Sequence, residues 1–287
     1  MNISIFAKRA FLNTNPYSDF ISKEKSYKGH GHLQRVSSMI RADQIADYLG
    51  AKLNPTEGYE NDVCIYIKPH VKAGEDFRFG GKPYLDIIDG FDLIPLLRNH
   101  PEVSVIACSK QDYDSLTNIF PSHKIVLIPQ HHCNFERVQR DRKEIKTVGV
   151  IGTEGAWQFL PAGLEEELSK RGIKLLKYSK FFSRGDVVDF YKQIDIQIVW
   201  RPYRMRLSNP LKIVNAASFG IPTIAYDETV FHEVTGCLLP ARTLEDLLGA
   251  LDRLIKSEEL YKTLSDECLR KAEEYHIENV GKMYKKL

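Results

Sequence analysis

Short apolar runs alternate with helix-patterned stretches along this whole sequence, and that alternation constrains the fold more than any other feature. Residues 3–7, 63–68, 84–88, 103–108 and 124–128 read as strands in the first half, and 147–151, 174–178, 194–199 and 223–226 in the second. Helical patterns stand between them. Leu33, Val36, Ile40, Ile45, Tyr48 and Leu49 recur at close to helical spacing ahead of Gly50. Ser109 heads a helix over 110–120 that Pro121 stops. Further helices are expected over 161–170, 186–193, 211–219, 258–275 and 277–287, and one begins at Thr243 with a capping box and an apolar stripe from Leu244 to Ile255. Strands separated by helices join one sheet through crossovers, which make parallel pairs. The chain is therefore expected to be α/β, with parallel sheets covered by helices. Its 287 residues suffice for two domains. The charged run 137–146 marks the boundary, giving domains 1–136 and 137–287.

The stretch Trp200 to Asp227, WRPYRMRLSNPLKIVNAASFGIPTIAYD, concentrates the chemistry. It reads as loop, helix, a turn at Gly220-Ile221-Pro222, and buried strand. Ser208 and Asn209 suit an N-cap and Pro210 the first helical position. Arg201, Arg204, Arg206 and Lys212 crowd that helix end, with no acid nearby in sequence. Cations beside a helix N-terminus are disfavoured by about 0.3–1 kcal/mol. The arrangement makes sense where an anion belongs, because free backbone N–H groups with Arg and Lys form a phosphate site. A solvated basic loop ahead of an ordinary helix is the other reading. Asn215 falls one turn on, on the face of Leu211 and Lys212. The turn Gly152-Thr153-Glu154-Gly155 follows a strand. Its backbone N–H groups either approach a phosphate or simply close a tight turn.

The run from Lys212 through Asn215, Ala216 and Ala217 to Gly220-Ile221-Pro222 and the apolar strand resembles the C-terminal signature of GT-B glycosyltransferases, in the retaining class that uses nucleotide sugars. The resemblance is specific from about 194 to 255. It implies two Rossmann-like domains with parallel sheets facing a cleft, the first binding the acceptor and the second the donor, with the last helix crossing back to the first. It implies that Arg201, Arg204, Arg206, Ser208, Asn209 and Lys212, with Gly152 and Thr153, hold the donor diphosphate, and that Asn215 touches the nucleoside. No metal or resident cofactor is implied, since side chains supply the positive charge and the nucleotide-diphosphate sugar is the co-substrate. Transfer would retain the anomeric configuration. Most members carry Glu at the Asn215 position and another Glu eight positions earlier, where this chain has Leu207. The donor contacts thus depart from the commonest pattern.

Other residues complete the reading. The stretch 8–28, with Phe11, Tyr17, Phe20 and Tyr27, reads as a flap over the first strand's end. Gly29-His30-Gly31-His32 feeds the first helix. By the resemblance this loop, with Gly31, His32 and Arg35, touches acceptor or donor. His70 and Asp89 follow strands, where open α/β sheets bind ligands, and are the candidate catalytic acid or base groups. His131, His132 and Cys133 are spaced too tightly for one zinc site, so 130–136 reads as a cleft-facing linker. Asp112-Tyr113-Asp114 matches a GT-A metal motif, but residues i and i+2 of a helix diverge. A net charge of +2 excludes a bulk electrostatic attraction to nucleic acid or membrane. Five cysteines without a C-x-x-C pair, no signal-peptide pattern and no apolar run of about 20 residues point to a cytoplasmic protein with no transmembrane segment. The acceptor stays open among glycan, small molecule and modified DNA. Two alternatives stand beside transfer to a glycan or small molecule. One is a binding protein that kept the fold without the chemistry, for which the missing Glu pair speaks. The other is a glycosyltransferase acting on modified DNA bases, with Lys8, Arg9, Lys23, Lys25, Lys28, Arg35 and Arg41 as a basic face. A dehydrogenase fits worse, because neither half carries G-x-G-x-x-G.

Overall fold

A computed structural model describes residues 2–7, 36–69, 71–72, 74–140, 144–179, 183–202 and 207–287. The chain divides into two units. One comprises Met1–Gln130, Met205–Asn209 and Ile277–Leu287, the other His131–Arg204 and Pro210–His276. The first unit thus ends at Gln130 rather than at 136, and it takes in two later segments.

In the first unit six strands, β1 (Ile3–Ala7), β2 (Lys52–Leu53), β3 (Val63–Ile67), β4 (Lys82–Asp86), β5 (Ser104–Ala107) and β6 (Ile125–Leu127), lie in the order β2-β1-β3-β4-β5-β6. Every pair is parallel. All five residues of β3 are buried, as expected of a central strand covered on both faces. Strand β2, two residues long, was too short to carry a sequence pattern. The second unit has β7 (Thr147–Ile151), β8 (Lys174–Tyr178), β9 (Ile196–Val199), β10 (Thr223–Tyr226) and β11 (Leu238–Ala241), in the order β11-β10-β9-β7-β8 and again all parallel. Strand β11 escaped the sequence reading. It contains Pro240, which only an edge position tolerates, and three of its four residues are not buried. Gly149 lies in the middle of β7, where a Cβ would come within 2.4 Å of Ile194 and 2.8 Å of Phe190. The strand and the Arg184–Tyr191 helix touch there, with no room for a side chain.

Helix ends follow local chemistry. Ser183 and Thr243 make capping boxes with Asp186 and Asp246. Gly220 ends the Leu211–Ala217 helix region with φ of 68°, and a Cβ there would sit 2.6 Å from Ser265 Oγ. Asp112 and Asp114 diverge as helix geometry requires: Asp112 is buried, while Asp114 pairs with Lys110 on the surface. Among the described residues no helix is long and apolar enough to cross a membrane.

The first unit's core contains a buried ion pair. Strand β4 stops at Asp86 rather than running to 88, and Asp86 is fully buried against Arg41. Arg41 enters from a π-helical stretch, Met39–Asp43, and donates from Nη2 to the Ile128 carbonyl at 3.0 Å. Tyr284, from the Ile277–Tyr284 helix, places its ring 6.0 Å from the guanidinium. Arg41 therefore belongs to the core and cannot contribute to a basic nucleic-acid face. The same last helix packs Gly281 on Tyr48, and the Tyr84 hydroxyl donates to the Leu287 carbonyl at 3.0 Å.

Breaking a buried ion pair strands a charge, at a cost of about 3–5 kcal/mol. Asp86→Ala is expected to lose stability of that size in urea unfolding. A double Arg41→Met, Asp86→Leu variant is expected to recover more than half of it.

Candidate functional site

In an open parallel sheet, ligands bind beyond the carboxyl ends of the strands where the strand order reverses. In the second unit that point lies between β7 and β9, because the chain goes from β7 outward to β8 and then returns to β9, β10 and β11. Three charged or turn elements follow these strand ends: Gly152 after β7, Arg201 after β9, and Glu228 after β10. Lys212 joins them from the first turn of the Leu211–Ala217 helix.

The Lys212 ammonium rests on the Gly152 turn. A Cβ at position 152 would lie 3.1 Å from Lys212 Nζ, so glycine leaves the space the ammonium uses. Loss of solvent around the ammonium, ahead of repulsion by Arg201, lowers the Lys212 pKa to about 8, with Glu228 pulling the other way. Its side chain nevertheless remains exposed to solvent. Among the described residues, Lys212 Nζ has neither an ion-pair nor a hydrogen-bond acceptor. The backbone beneath it is firmly held. The Tyr191 hydroxyl and Gln197 Nε2 both donate to the Lys212 carbonyl, at 3.2 and 3.0 Å.

The other residues expected at a diphosphate site fare differently. Arg201 is engaged by Glu228 through two hydrogen bonds of 2.8 and 2.6 Å and lies 5.6 Å from the centre of the Phe231 ring. Its charge is therefore matched within the protein. Glu228 was missed in the sequence, although an acid directly past a strand end is the signal that would have found it. Ser208 and Asn209 do not cap the helix. Pro210 occupies the N-cap with no side-chain bond, and the Ser208 amide donates instead to Asp112 Oδ1 at 3.3 Å within the first unit. That bond and burial push the Asp112 carboxyl in opposite directions. Burial dominates and raises its pKa to about 6. The helix is also only seven residues long, so its dipole is short.

The Gly152 amide is not free for a phosphate, since it donates to the Tyr178 carbonyl at 3.0 Å. Thr153 is exposed and makes no side-chain cap. Asn215 is buried, and its Oδ1 accepts from the Cys133 amide at 2.8 Å, which turns the side chain towards the 131–136 segment. That segment is not an open linker. His131, His132 and Asn134 are buried, and Asn134 Nδ2 donates to the Ser218 carbonyl at 2.7 Å. Burial, with neighbouring His276, holds the His132 pKa well below its ordinary value. In the first unit Asp89 is exposed in the turn after β4. Arg204, Arg206, His70, Gly31, His32 and Arg35 lie outside the described residues.

No family model matches the chain. It is 30% identical over 137 residues to an uncharacterized glycosyltransferase of Haemophilus influenzae, a match covering 45% of this chain and 38% of the relative. Among solved structures, Anabaena Alr3699/HepE in complex with UDP aligns over 100% of this chain and 99% of its own, with a TM-score of 0.56 at 10% identity. A mutant of S. aureus TarM in complex with fondaparinux, alpha-GlcNAc-glycerol and UDP aligns over 80% of this chain and 52% of its own, with a TM-score of 0.54 at 13% identity. At such identities the likeness is one of fold, and the fold is that of GT-B glycosyltransferases.

A lysine held below its ordinary pKa costs folded stability at neutral pH, because the folded state binds that proton less tightly than the unfolded chain. The cost disappears as pH rises from about 8 towards the unfolded value. Lys212→Met is therefore expected to gain about 0.5–1 kcal/mol at pH 7, the full shift being discounted for the exposed side chain. Urea unfolding at pH 7 and pH 9.5 should show the gain shrinking at the higher pH.

Proposed function

We propose that this protein is a glycosyltransferase that moves a sugar from a nucleoside-diphosphate sugar to a hydroxyl acceptor, with the nucleotide held by the second unit and the acceptor by the first. The observation that carries this reading is the Lys212 ammonium, exposed at the strand-order reversal and resting on Gly152. The hard step in sugar transfer is departure of the diphosphate from the anomeric carbon. A fixed cation lowers the energy of the charge that develops on the leaving oxygen, and removing one such donor typically costs about 100- to 1000-fold in rate. Lys212 takes that role, and Arg201, paired with Glu228, forms the adjoining wall. Arg204 and Arg206 are assigned to the diphosphate as well, and Asn215 and Thr153 to the nucleotide's surroundings. The glycosyltransferase relative and the UDP-bound structural neighbours support the same reading. Lysine supplies the charge a divalent metal would otherwise bring, so the reaction is proposed to need none. Retention of configuration follows from the signature around Lys212. His70 and Asp89 are assigned to acceptor handling, and a cytoplasmic location agrees with five free cysteines, four of them buried.

One observation favours a second reading, a binding protein without turnover. The two positions that carry Glu in most members of the resembled class are both buried here: Leu207 packs into an apolar cluster of the first unit, and Asn215 is bonded to Cys133.

Calorimetric titration with UDP separates the outcomes. Wild type is expected to bind, and Lys212→Met to weaken binding by about 10- to 100-fold, the worth of a charge-assisted hydrogen bond. Gly152→Ala, which crowds Nζ, is expected to weaken it less. Affinity should fall as pH rises through about 8, where free Lys212 loses its proton. Equal affinity in wild type and Lys212→Met would end the assignment. UDP binding without release of UDP from any UDP-sugar would favour the binding protein.

A further inference from the structure

Two of the five cysteines, Cys237 and Cys268, meet inside the second unit. Cys237 directly precedes β11, and Cys268 stands on the Glu258–Glu273 helix. Neither has any solvent exposure, and both belong to one apolar cluster with Val230, Phe231, Val234 and Ala272. Their thiols are hydrogen-bonded to each other. Cys268 Sγ also lies 3.6 Å from the Cys237 carbonyl oxygen and 3.8 Å from that of Ile221. Cys268 is the donor, which leaves the Cys237 sulfur as the acceptor.

The other three thiols are placed differently. Cys64 donates to the Tyr59 carbonyl at 3.4 Å and Cys108 to Asp112 at 3.5 Å. Burial pushes the thiols of Cys64, Cys108 and Cys133 up, that of Cys133 to about 12. Cys237 moves the other way. The hydrogen bond from Cys268, against burial and with help from Lys271, holds its thiol below the ordinary range. The thiolate is the reactive form, so Cys237 is the first of the five to act as a nucleophile. Its cover is a single turn, in which Thr235 is exposed and Gly236 half-buried at φ of 98°. A Cβ on Gly236 would approach nothing closer than Glu267 Oε2 at 3.8 Å. Strand β11 pairs with β10 alone, so this turn can shift without breaking a second ladder.

We infer that Cys237 and Cys268 are a peroxide-responsive thiol pair that closes to a disulfide within the folded protein. The Cys237 thiolate attacks one oxygen of a hydroperoxide. The O–O bond breaks, the other oxygen leaves as an alcohol or water with the proton Cys237 gave up, and Cys237 becomes a sulfenic acid. The Cys268 sulfur then attacks the Cys237 sulfur, its proton goes to the departing hydroxide, and water leaves. The two thiols lose two electrons and the hydroperoxide gains them; a dithiol reductant reverses the step. Closure draws the sulfurs to about 2.05 Å and removes the S–H that Cys268 offers to the Cys237 and Ile221 carbonyls. It ties the Glu258–Glu273 helix to the turn ahead of β11 across 31 residues of chain, which restricts the unfolded state and stabilises the fold. The inference stands apart from the glycosyl-transfer reading.

The test treats the folded full chain with hydrogen peroxide, blocks remaining thiols with N-ethylmaleimide in denaturant, and maps the peptides by mass spectrometry. Wild type is expected to lose two thiols and to yield a peptide pair joined through Cys237 and Cys268, which dithiothreitol separates again. Oxidised wild type is expected to melt several degrees above the reduced protein. Cys237→Ser and Cys268→Ser should each remove both the cross-link and the rise in melting temperature, and Cys268→Ser should leave a sulfenic acid on Cys237 that dimedone captures. Cys237→Ala and Cys268→Ala serve in place of any serine variant that fails to fold, and the wild-type measurement needs neither. Folded wild type that keeps both thiols free after peroxide overturns the pair, as does a cross-link that joins other cysteines instead.

Discussion

A single amide with no solvent exposure, Gln197 in β9, fixes how the helix bearing Lys212 meets its sheet. Its Oε1 accepts from the Tyr191 hydroxyl at 2.8 Å, and its Nε2 donates to the Lys212 carbonyl at 3.0 Å and to Thr223 Oγ1 at 3.2 Å. Leaving a buried polar group unsatisfied costs about 1–3 kcal/mol, so any other register of the helix against β9 and β10 carries that penalty. The network therefore does more than fill space. It sets the height of the helix's first turn and so the reach of the lysine towards Gly152. Tyr191 links the same point to the Arg184–Tyr191 helix, which Gly149 admits close to β7. Strand, helix and ammonium are placed by one connected set of contacts.

Local rules are broken in both units at the carboxyl ends of the strands, and largely there. Lys212 brings a cation to a helix start, Lys68 holds a backbone shape suited to glycine, and Arg201 is matched by an acid that arrives from a different strand. Elsewhere the sequence is locally consistent, with capping boxes where helices begin and apolar runs where strands are covered. Local consistency over most of the described residues, with several of the exceptions at the carboxyl edge of each sheet, is the pattern of a scaffold that gives up some stability at its candidate sites.

Much of this fold was legible in the chain. The strand–helix alternation led directly to parallel sheets, and Gly50 and Gly220 ended helices as expected, with φ of 66° and 68°. What escaped was short or lay at an edge, including β2, β11 and the short helical segments Phe91–Leu93, Ile94–Leu97, Glu154–Trp157 and Thr229–Val234. The site was legible only in part. Lys212 was readable because its charge conflicts with its own helix, a local signal. Ser208 was misread as a cap because its partner, Asp112, is 96 residues away, and the bond of Asn215 to Cys133, 82 residues along the chain, had no local signal either. Pattern reasoning sees a residue's periodicity, but it does not see which distant amide will claim its oxygen. Glu228 shows the converse, an acid 27 residues from Arg201 that only the sheet brings beside it.

The first unit is assembled from segments that enclose the second in sequence, since 277–287 follows everything in the other unit. During synthesis, at about 5–20 residues per second, the ribosome therefore finishes the second unit while the first still lacks the Tyr284 ring beside Arg41 and the carbonyl that Tyr84 meets at Leu287. For roughly 7–30 seconds, the time that rate needs to span the intervening residues, Arg41 and Asp86 are left under-covered. The part translated first is the part completed last, and a nascent chain of this design depends on whatever shields that half-built core in the interval.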